Sequence, residues 1–324
     1  MKSKYKIYPF IKQKQAKILR KGDKKFKKKG DWESMAYLYN SYPALCNEIE
    51  FNILAEEYFW ERVGRQALFI QSADDASRFI KSRYSLKMMT ESILPFPSFM
   101  MCLPSDFNVD GLSCSGVLVS AIKTRDVKTE LFDPLCNKLN MPPAQVKTET
   151  DSESLLLMLV YKIDGDSAYS RALIDSNKLE TIANTASLDE YRDNVGKYGE
   201  NYIFTSESDD PREHKLQQTL IRLILGVSIY LKAKPESLTT GYPSKDRMIF
   251  EGGLFDKQNS PFYATLSKRK GTSPDAHSRS WFIRQLIHDR YYQDQYKSRP
   301  RGSRFVFVDE TTVNLKVNPK HIED

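Results

Sequence analysis

The chain has 324 residues, 40% of them hydrophobic and 12% aromatic, so it can bury a sizeable core as one large domain or two modest ones. Its four cysteines include no Cys-x-x-Cys pair, which disfavours a structural zinc site and favours reduced thiols in a cytosolic setting. No apolar run has the length of a membrane span or the pattern of a signal peptide, so neither secretion nor a membrane span is expected.

The net charge of +7 is distributed unevenly. Residues 1–30 carry 12 Lys and one Arg against one Asp, and residues 268–304 carry ten Lys or Arg against three Asp, whereas the rest of the chain is acidic overall. Because salt screens charges beyond roughly 8 Å, each basic end presents its own positive field. The pattern predicts two contact zones for anionic partners. Alternatively, one basic end folds back on the acidic body.

Residues 1–30 predict a flexible basic arm. Ile11, Ile18 and Phe26 recur at rough heptad spacing, which supports only a marginal amphipathic helix, and the lysine density leaves little apolar area for a core. The lysines of this arm that we assign to nucleic-acid contact are Lys24, Lys25, Lys27, Lys28 and Lys29.

Residues 31–94 predict a helical part of the chain. Apolar residues between Asn47 and Gln71 recur at helical spacing, which predicts one long helix. Ser72 is placed to cap a second helix that runs through Ile80, and Asp31 to cap a short one. The first third of the chain is therefore expected to be mostly helical.

Residues 95–324 predict an α+β body. Three β-rich runs are bounded by Pro, Gly or polar residues, namely Ser98–Leu103, Gly116–Ile122 and Leu155–Ile163. Leu216–Leu231 is apolar almost all round and predicts a buried helix packed on the sheet. Phe305–Val308 and Val313–Val317 flank a turn and predict a terminal hairpin.

The fold class expected from these elements is α+β. It comprises a helical N-terminal third, a central mixed or antiparallel sheet with a buried helix, and a basic C-terminal segment that ends in a β-hairpin. Residues 31–324 form either one domain or two parts that meet near residue 95.

The basic segment 268–304 interleaves cations with aromatic side chains. Guanidinium groups bind phosphate bidentately and aromatic faces stack on unpaired bases, so this mixture favours single-stranded nucleic acid over a small neutral substrate. The residues that we expect at this interface are Lys268, Arg269, Lys270, His277, Arg279, Trp281, Arg284 and Arg290. The alternative is a solvated basic surface whose aromatics belong to the core.

Histidines supply the only catalytic alternative, because the common phosphate-loop, nucleophile-elbow, zinc-protease and dinucleotide motifs are missing. If residues 275–294 form a helix, His277, Trp281, Arg284 and His288 share one face. His277 and His288 are then candidates for metal-independent RNA cleavage by general acid–base chemistry. Otherwise the helix uses Trp281 for the core and the polar residues for surface contacts. No cofactor or metal is expected.

The order of these elements resembles a family of phage and mobile-element proteins. Its quoted features in this chain are YFWERVGRQALFI, LPFPSFMMCLPSDF, the buried helix TLIRLILGVSIYL, and a basic tail with His277, Arg279, Arg284 and Val313-Asn314. The family tail reads Pro-His-x-Arg-Arg-Gly-His-x-Arg, followed by a Gly-containing turn, a short β-run and Val-Asn. In this chain Ser280, Trp281 and Phe282 replace the second Arg, the Gly and the second His, and Pro274 lies three residues before His277.

That family includes the type V-A anti-CRISPR protein that lowers the level of its effector nuclease. The resemblance implies a cytoplasmic protein of a bacterial host that recognises a nascent polypeptide during translation and causes loss of its mRNA. The implied partners are RNA or the ribosome together with the nascent polypeptide. A metal-independent ribonuclease and a non-catalytic nucleic-acid-binding phage protein are the alternatives, and the choice between RNA and DNA and the oligomeric state stay open.

Overall fold

A computed structural model gives the fold. The ranges that it describes are 6–7, 13–26, 37–38, 40–43, 56–57, 59–60, 63–85, 93–123, 155–164, 170–175, 210–243, 249–250, 260–266, 277–279, 282–308 and 311–313.

The α-helices in these ranges that have defined bounds are α1 (Gln13–Phe26), α2 (Ala73–Ile80) and α3 (Pro211–Ala233). Short 3₁₀ turns lie at Pro235–Ser237, Asp289–Tyr291 and Asp294–Tyr296. The first eight strands are β1 (Lys6–Ile7), β2 (Gln66–Phe69), β3 (Arg83–Ser85), β4 (Ser98–Cys102), β5 (Asn108–Val109), β6 (Leu112–Ser113), β7 (Gly116–Lys123) and β8 (Leu155–Tyr161). The others are β9 (Ser170–Asp175), β10 (Leu238–Thr240), β11 (Ile249–Phe250), β12 (Ser260–Ala264), β13 (His277–Arg279), β14 (Phe282–Leu286), β15 (Arg304–Val308) and β16 (Thr311–Val313).

The centre of the molecule is a mixed seven-stranded sheet in the order β10-β12-β2-β4-β7-β8-β9. Strands β12, β2 and β4 run parallel to one another, and the remaining neighbours are antiparallel. The three β-rich runs predicted from the sequence are confirmed as β4, β7 and β8. Their continuous apolar character follows from their inner positions, because a strand inside a covered sheet presents both of its faces to the core.

The long helix predicted through Gln71 is wrong at its C-terminal end, where the chain forms β2. Gly64 and Arg65 have φ angles of 111° and 54°, which a right-handed helix cannot accommodate. The Nε1 atom of Trp60 donates a hydrogen bond of 2.7 Å to the carbonyl oxygen of Gln66 across this turn. A short apolar run looks similar in a buried strand and in a buried helix, so periodicity alone did not distinguish them.

Helix α2 begins where the sequence predicted. The Oγ atom of Ser72 accepts a hydrogen bond of 3.1 Å from the backbone N–H of Asp75 and caps the first turn. The cap predicted at Asp31 lies outside the described residues. So does most of the chain between α1 and β2, and the structure therefore does not support a helical N-terminal third.

Helix α3 confirms the predicted buried helix and extends it to Pro211–Ala233. Its apolar residues share one buried core with the central sheet and α2. The ring of Tyr230 lies 5.5 Å from that of Phe79 in α2 and 5.2 Å from that of Phe307 in β15. Because α3 is covered on several sides, it needs no polar face.

The C-terminal β-hairpin is present, but its pairing differs from the prediction. Strands β14 and β15 are antiparallel partners, as are β13 and β16, so Phe305–Val308 does not pair with the strand that follows it. Arg279 lies opposite Thr311 and Phe282 opposite Val308, which is the same register in both ladders. Strands β13 and β14 therefore pair with β16 and β15 in one common antiparallel register, here called the ribbon, and β3 adds to β14 in parallel.

The helix considered for residues 275–294 is not formed by the described residues of that range. The chain there forms β13 and β14, followed by 3₁₀ turns. Ile283 and Gln285 are buried whereas Arg284 between them is exposed, which is the period-two alternation of a strand, and Leu286 at the end of β14 is buried as well. The backbone hydrogen bonds to β15 and β3 stabilise a strand here, although the spacing of the side chains would also fit a helix.

Candidate nucleic-acid interface

The structure separates the predicted interface residues into three groups. Lys27, Lys28, Lys29, Lys268, Arg269, Lys270 and Trp281 lie outside the described residues. His277 and Arg279 lie on β13, where their backbones pair with Val313 and Thr311. The remaining predicted residues are exposed, with Lys24 and Lys25 on α1, Arg284 on β14, and His288 and Arg290 just beyond β14.

The two candidate catalytic histidines are not brought together. His277 precedes β14 and His288 follows it, and the five residues of β14 alone span about 13 Å at about 3.3 Å per residue. An acid and a base that act on one phosphodiester must both reach it at hydrogen-bonding distance. His288 instead caps a 3₁₀ turn, because its Nδ1 atom accepts a hydrogen bond of 3.2 Å from the backbone N–H of Arg290.

Residues 287–303, here called the ribbon loop, connect β14 to β15. The hydroxyl of Tyr292 donates to the carbonyl oxygen of Leu286 at 2.6 Å and accepts from the backbone N–H groups of Gly302 and Arg304 at 2.7 and 3.2 Å. The Nε2 atom of Gln285 donates to the carbonyl oxygen of Gly302 at 2.8 Å. These bonds join the two ends of the loop, so its side chains are presented in a defined arrangement.

Guanidinium groups stack on tyrosine rings in this loop. The Arg304 guanidinium lies 3.4 Å from the centre of the Tyr296 ring, and that of Arg299 lies 5.6 Å from the same centre. The Arg290 guanidinium lies 4.7 Å from the centre of the Tyr291 ring. Such contacts stabilise a cation beside an aromatic face by about 0.5–1 kcal/mol at exposed sites. The loop therefore combines the two groups that recognise an unpaired nucleotide.

Three cations of this region are exposed and available to an external anion. Arg301 lies 3.5 Å from the carboxylate of Asp289, an ion pair in which both side chains are more than half exposed. Arg284, Lys297 and Arg299 are exposed and form no ion pair with any residue in the described part of the chain. They leave an excess of positive charge at the surface.

The cationic surface continues from the ribbon loop onto the outer face of the ribbon. Arg284 of β14 lies opposite Val306 of β15, whose side chain is 41% exposed. Arg304 lies two positions before Val306 in β15, so both side chains are on the same face of the strand. The outer face thus offers cations and an apolar contact next to the loop. We call Arg284, Val306, Arg304 and the ribbon loop together the ribbon surface.

The interface predicted from the sequence missed the residues that build the ribbon loop. Tyr292, Tyr296, Arg299 and Arg304 lie in the basic segment 268–304 but were not named individually as contact residues, because their mutual contacts depend on how the loop folds. The available signal was the Pro300-Arg-Gly-Ser punctuation, which is typical of a loop between strands. No local signal indicated which cation would stack on which ring.

The chain matches no known protein-family model, no curated protein and no solved structure. Among the described residues, no cluster of three or more His, Cys, Asp or Glu is placed to hold a metal ion. Within the same ranges, no helix is both long enough and apolar enough to cross a bilayer.

Proposed function

We propose that this protein binds single-stranded RNA through the ribbon surface. The observation that carries the proposal is the pairing of guanidinium groups with tyrosine rings in and beside the ribbon loop, most closely between Arg304 of β15 and Tyr296 of the loop at 3.4 Å. Cations supply contacts to phosphates, and aromatic rings supply contacts to bases that a duplex would keep stacked inside. This combination favours a single strand over a duplex.

Binding without cleavage is the mode that the geometry supports better. A ribonuclease that relies on His277 and His288 would need both imidazoles at one phosphodiester, and β14 stands between them. A binding protein needs only the cations and rings of the ribbon surface. Incubation of the purified protein with labelled RNA, over a range of pH and metal ions, should therefore leave the RNA intact. Cleavage that is lost in His277→Ala or His288→Ala would contradict this part of the proposal.

The regulatory role is proposed from the resemblance described above. RNA binding would serve a cytoplasmic anti-CRISPR-like protein that recognises a nascent polypeptide on the ribosome and promotes loss of its mRNA. Phosphate contacts do not distinguish RNA from DNA, so the preference for RNA also comes from this resemblance. Crosslinking in cells followed by sequencing of the bound nucleic acid would test it, since recovery of DNA or of no translated message would oppose the regulatory role.

The binding proposal is tested by removing three exposed cations of the ribbon surface together. The triple variant Arg284→Gln, Lys297→Gln, Arg299→Gln is here called the ribbon variant. We expect it to bind single-stranded RNA more weakly and with a smaller salt dependence. Each lost phosphate contact lowers the slope of log K against log salt by about 0.7 for a single strand, so three lost contacts lower it by about 2.

A matched control removes the same number of charges elsewhere. Lys81, Lys162 and Lys232 lie on α2, β8 and α3 or at their ends, and each can be changed to Gln. If binding responds to net charge alone, the control variant loses as much affinity and slope as the ribbon variant. Equal losses, or an unchanged ribbon variant, would remove the ribbon surface from the interface.

A further inference from the structure

Helix α1 uses its two faces differently. Ile18 and Leu19 are only 5% and 2% exposed, so its apolar side is packed within the protein. The opposite side is cationic, and its exposed side chains are Lys17, Lys21, Lys24 and Lys25. The apolar face is therefore not available for insertion into a membrane, which is what a basic amphipathic helix needs for stable surface binding.

Three aromatic rings meet at the C-terminal end of α1. The ring of Tyr37 lies 6.4 Å from that of Phe26 and 6.4 Å from that of Tyr42, and both pairs are nearly perpendicular, at 73° and 81°. The Nζ atom of Lys25 lies 4.8 Å from the centre of the Tyr37 ring and 5.5 Å from that of Phe26. Tyr42 lies at the outer end of this row of rings and is 37% exposed.

We propose that this cluster, formed by Lys21, Lys24, Lys25, Phe26, Tyr37 and Tyr42, is a second site for single-stranded nucleic acid. An unpaired base stacks on Tyr42, and the exposed ammonium groups contact the flanking phosphates. We call it the α1 cluster. The inference rests on the proposed function for its class of ligand, and it adds a base-stacking contact to an end of the molecule where the lysines alone would bind any polyanion.

The exposure of Tyr42 distinguishes this site from simple packing. The Tyr37 and Phe26 rings are half-buried, and Lys25 covers them, so their role in the cluster includes holding its shape. Among the described residues, Tyr42 meets the Tyr37 ring edge to face and keeps more than a third of its surface in water. Stacking on such a ring tolerates any base and excludes a closed duplex, so the α1 cluster is expected to prefer single strands of any sequence.

The test compares Tyr42→Ala with Tyr42→Phe in the full chain. The probe is a fluorescent single-stranded RNA of about 8 nucleotides, which is within the usual site size of one binding surface. We expect Tyr42→Ala to weaken binding about tenfold and Tyr42→Phe to retain it, because the ring and not the hydroxyl does the stacking. The matched control is Tyr242→Ala, since Tyr242 is similarly exposed, at 41%, but its ring lies 5.5 Å from that of Phe69 in the central sheet.

A second variant keeps the test valid if loss of the ring disturbs the fold. Lys24→Gln, Lys25→Gln retains the aromatic rings and should reduce both the affinity and its salt dependence. Normal binding by both this variant and Tyr42→Ala would overturn the inference, and so would equal losses in Tyr42→Ala and Tyr242→Ala. If Tyr42→Ala lowered binding to anionic vesicles but not to RNA, the site would belong to a lipid surface and the inference would also fail.

The two proposals fail in different ways. The α1 variants are Tyr42→Ala and the double variant Lys24→Gln, Lys25→Gln. If the ribbon variant loses RNA binding while the α1 variants keep it, the proposal for the ribbon surface is supported and that for the second site is contradicted. If the α1 variants lose binding while the ribbon variant keeps it, the second site stands and the ribbon proposal falls. A single-stranded DNA of the same length, measured in parallel, shows whether either site selects RNA.

Discussion

Helices α2 and α3 approach each other closely at Gly226, so one added methyl group there is predicted to lower the stability of the protein strongly. Gly226 lies in the middle of α3, where an ideal Cβ atom would be 2.4 Å from the carbonyl oxygen of Phe79 and 3.1 Å from the Oγ atom of Ser82. Ordinary contact distances begin at about 3.4 Å, so the backbones of α2 and α3 would have to separate by about 1 Å. We therefore expect Gly226→Ala to destabilise the protein.

The magnitude follows from two opposing contributions. Alanine stabilises a helix interior by about 1 kcal/mol relative to glycine. Overpacking costs about 1–3 kcal/mol, and more where the neighbour cannot move. The Phe79 carbonyl is such a neighbour, because it accepts hydrogen bonds from the Oγ and N–H groups of Ser82 at 2.6 and 3.2 Å. We expect a net loss of about 2 kcal/mol in the free energy of unfolding.

Urea denaturation followed by circular dichroism measures this loss, with the urea slope showing whether the transition stays two-state. The matched control is Ser228→Ala on the same helix. Ser228 is 1% exposed, and no atom of the described residues pairs with its Oγ, so removing that hydroxyl should leave stability unchanged or raise it by up to about 1 kcal/mol. An unfolding midpoint for Gly226→Ala at or above the wild-type value would refute the close approach of α2 and α3.

Three further outcomes are expected. Tyr292→Phe removes the hydroxyl that joins the ends of the ribbon loop and should cost about 1–3 kcal/mol of loop stability, seen as faster amide exchange at Gly302 with little change in the central sheet. Burial raises the pKa of the Cys102 thiol, and raises that of Cys114 to about 12, so both should resist iodoacetamide at mildly alkaline pH in native protein and react once it is unfolded, as mapped by mass spectrometry. The side-chain hydrogen bond from Arg212 lowers the pKa of Asp210, which stabilises the fold above the ordinary pKa of 3.8 and ceases to do so as the pH falls through the lowered value. The small stability difference between Asp210→Asn and wild type should therefore disappear in acid, and a difference that grows there would contradict this assignment.

Local signals in the sequence were sufficient to predict the strands and the helix that are covered by the core on more than one side. The strands β4 and β7 and the helix α3 are apolar almost throughout because each is covered on more than one side, and that pattern is visible without knowing what covers them. Ser72 was also recognisable, because an N-cap hydrogen bond spans only three residues. These features determined the mixed α and β content and the strands and helix at its centre.

The tertiary structure decided the parts that depend on distant partners. Residues 66–69 become β2 because β12 and β4 flank them, and Phe282–Leu286 becomes a strand because it pairs with residues about twenty positions later. A pairing partner so far away leaves no periodic trace in the local sequence. With this pairing His277 lies on β13 and His288 beyond β14, and the Arg304 guanidinium lies over the Tyr296 ring. The sequence by itself determined that cations and aromatic rings are abundant near the C-terminus, whereas long-range strand pairing decided which of them meet.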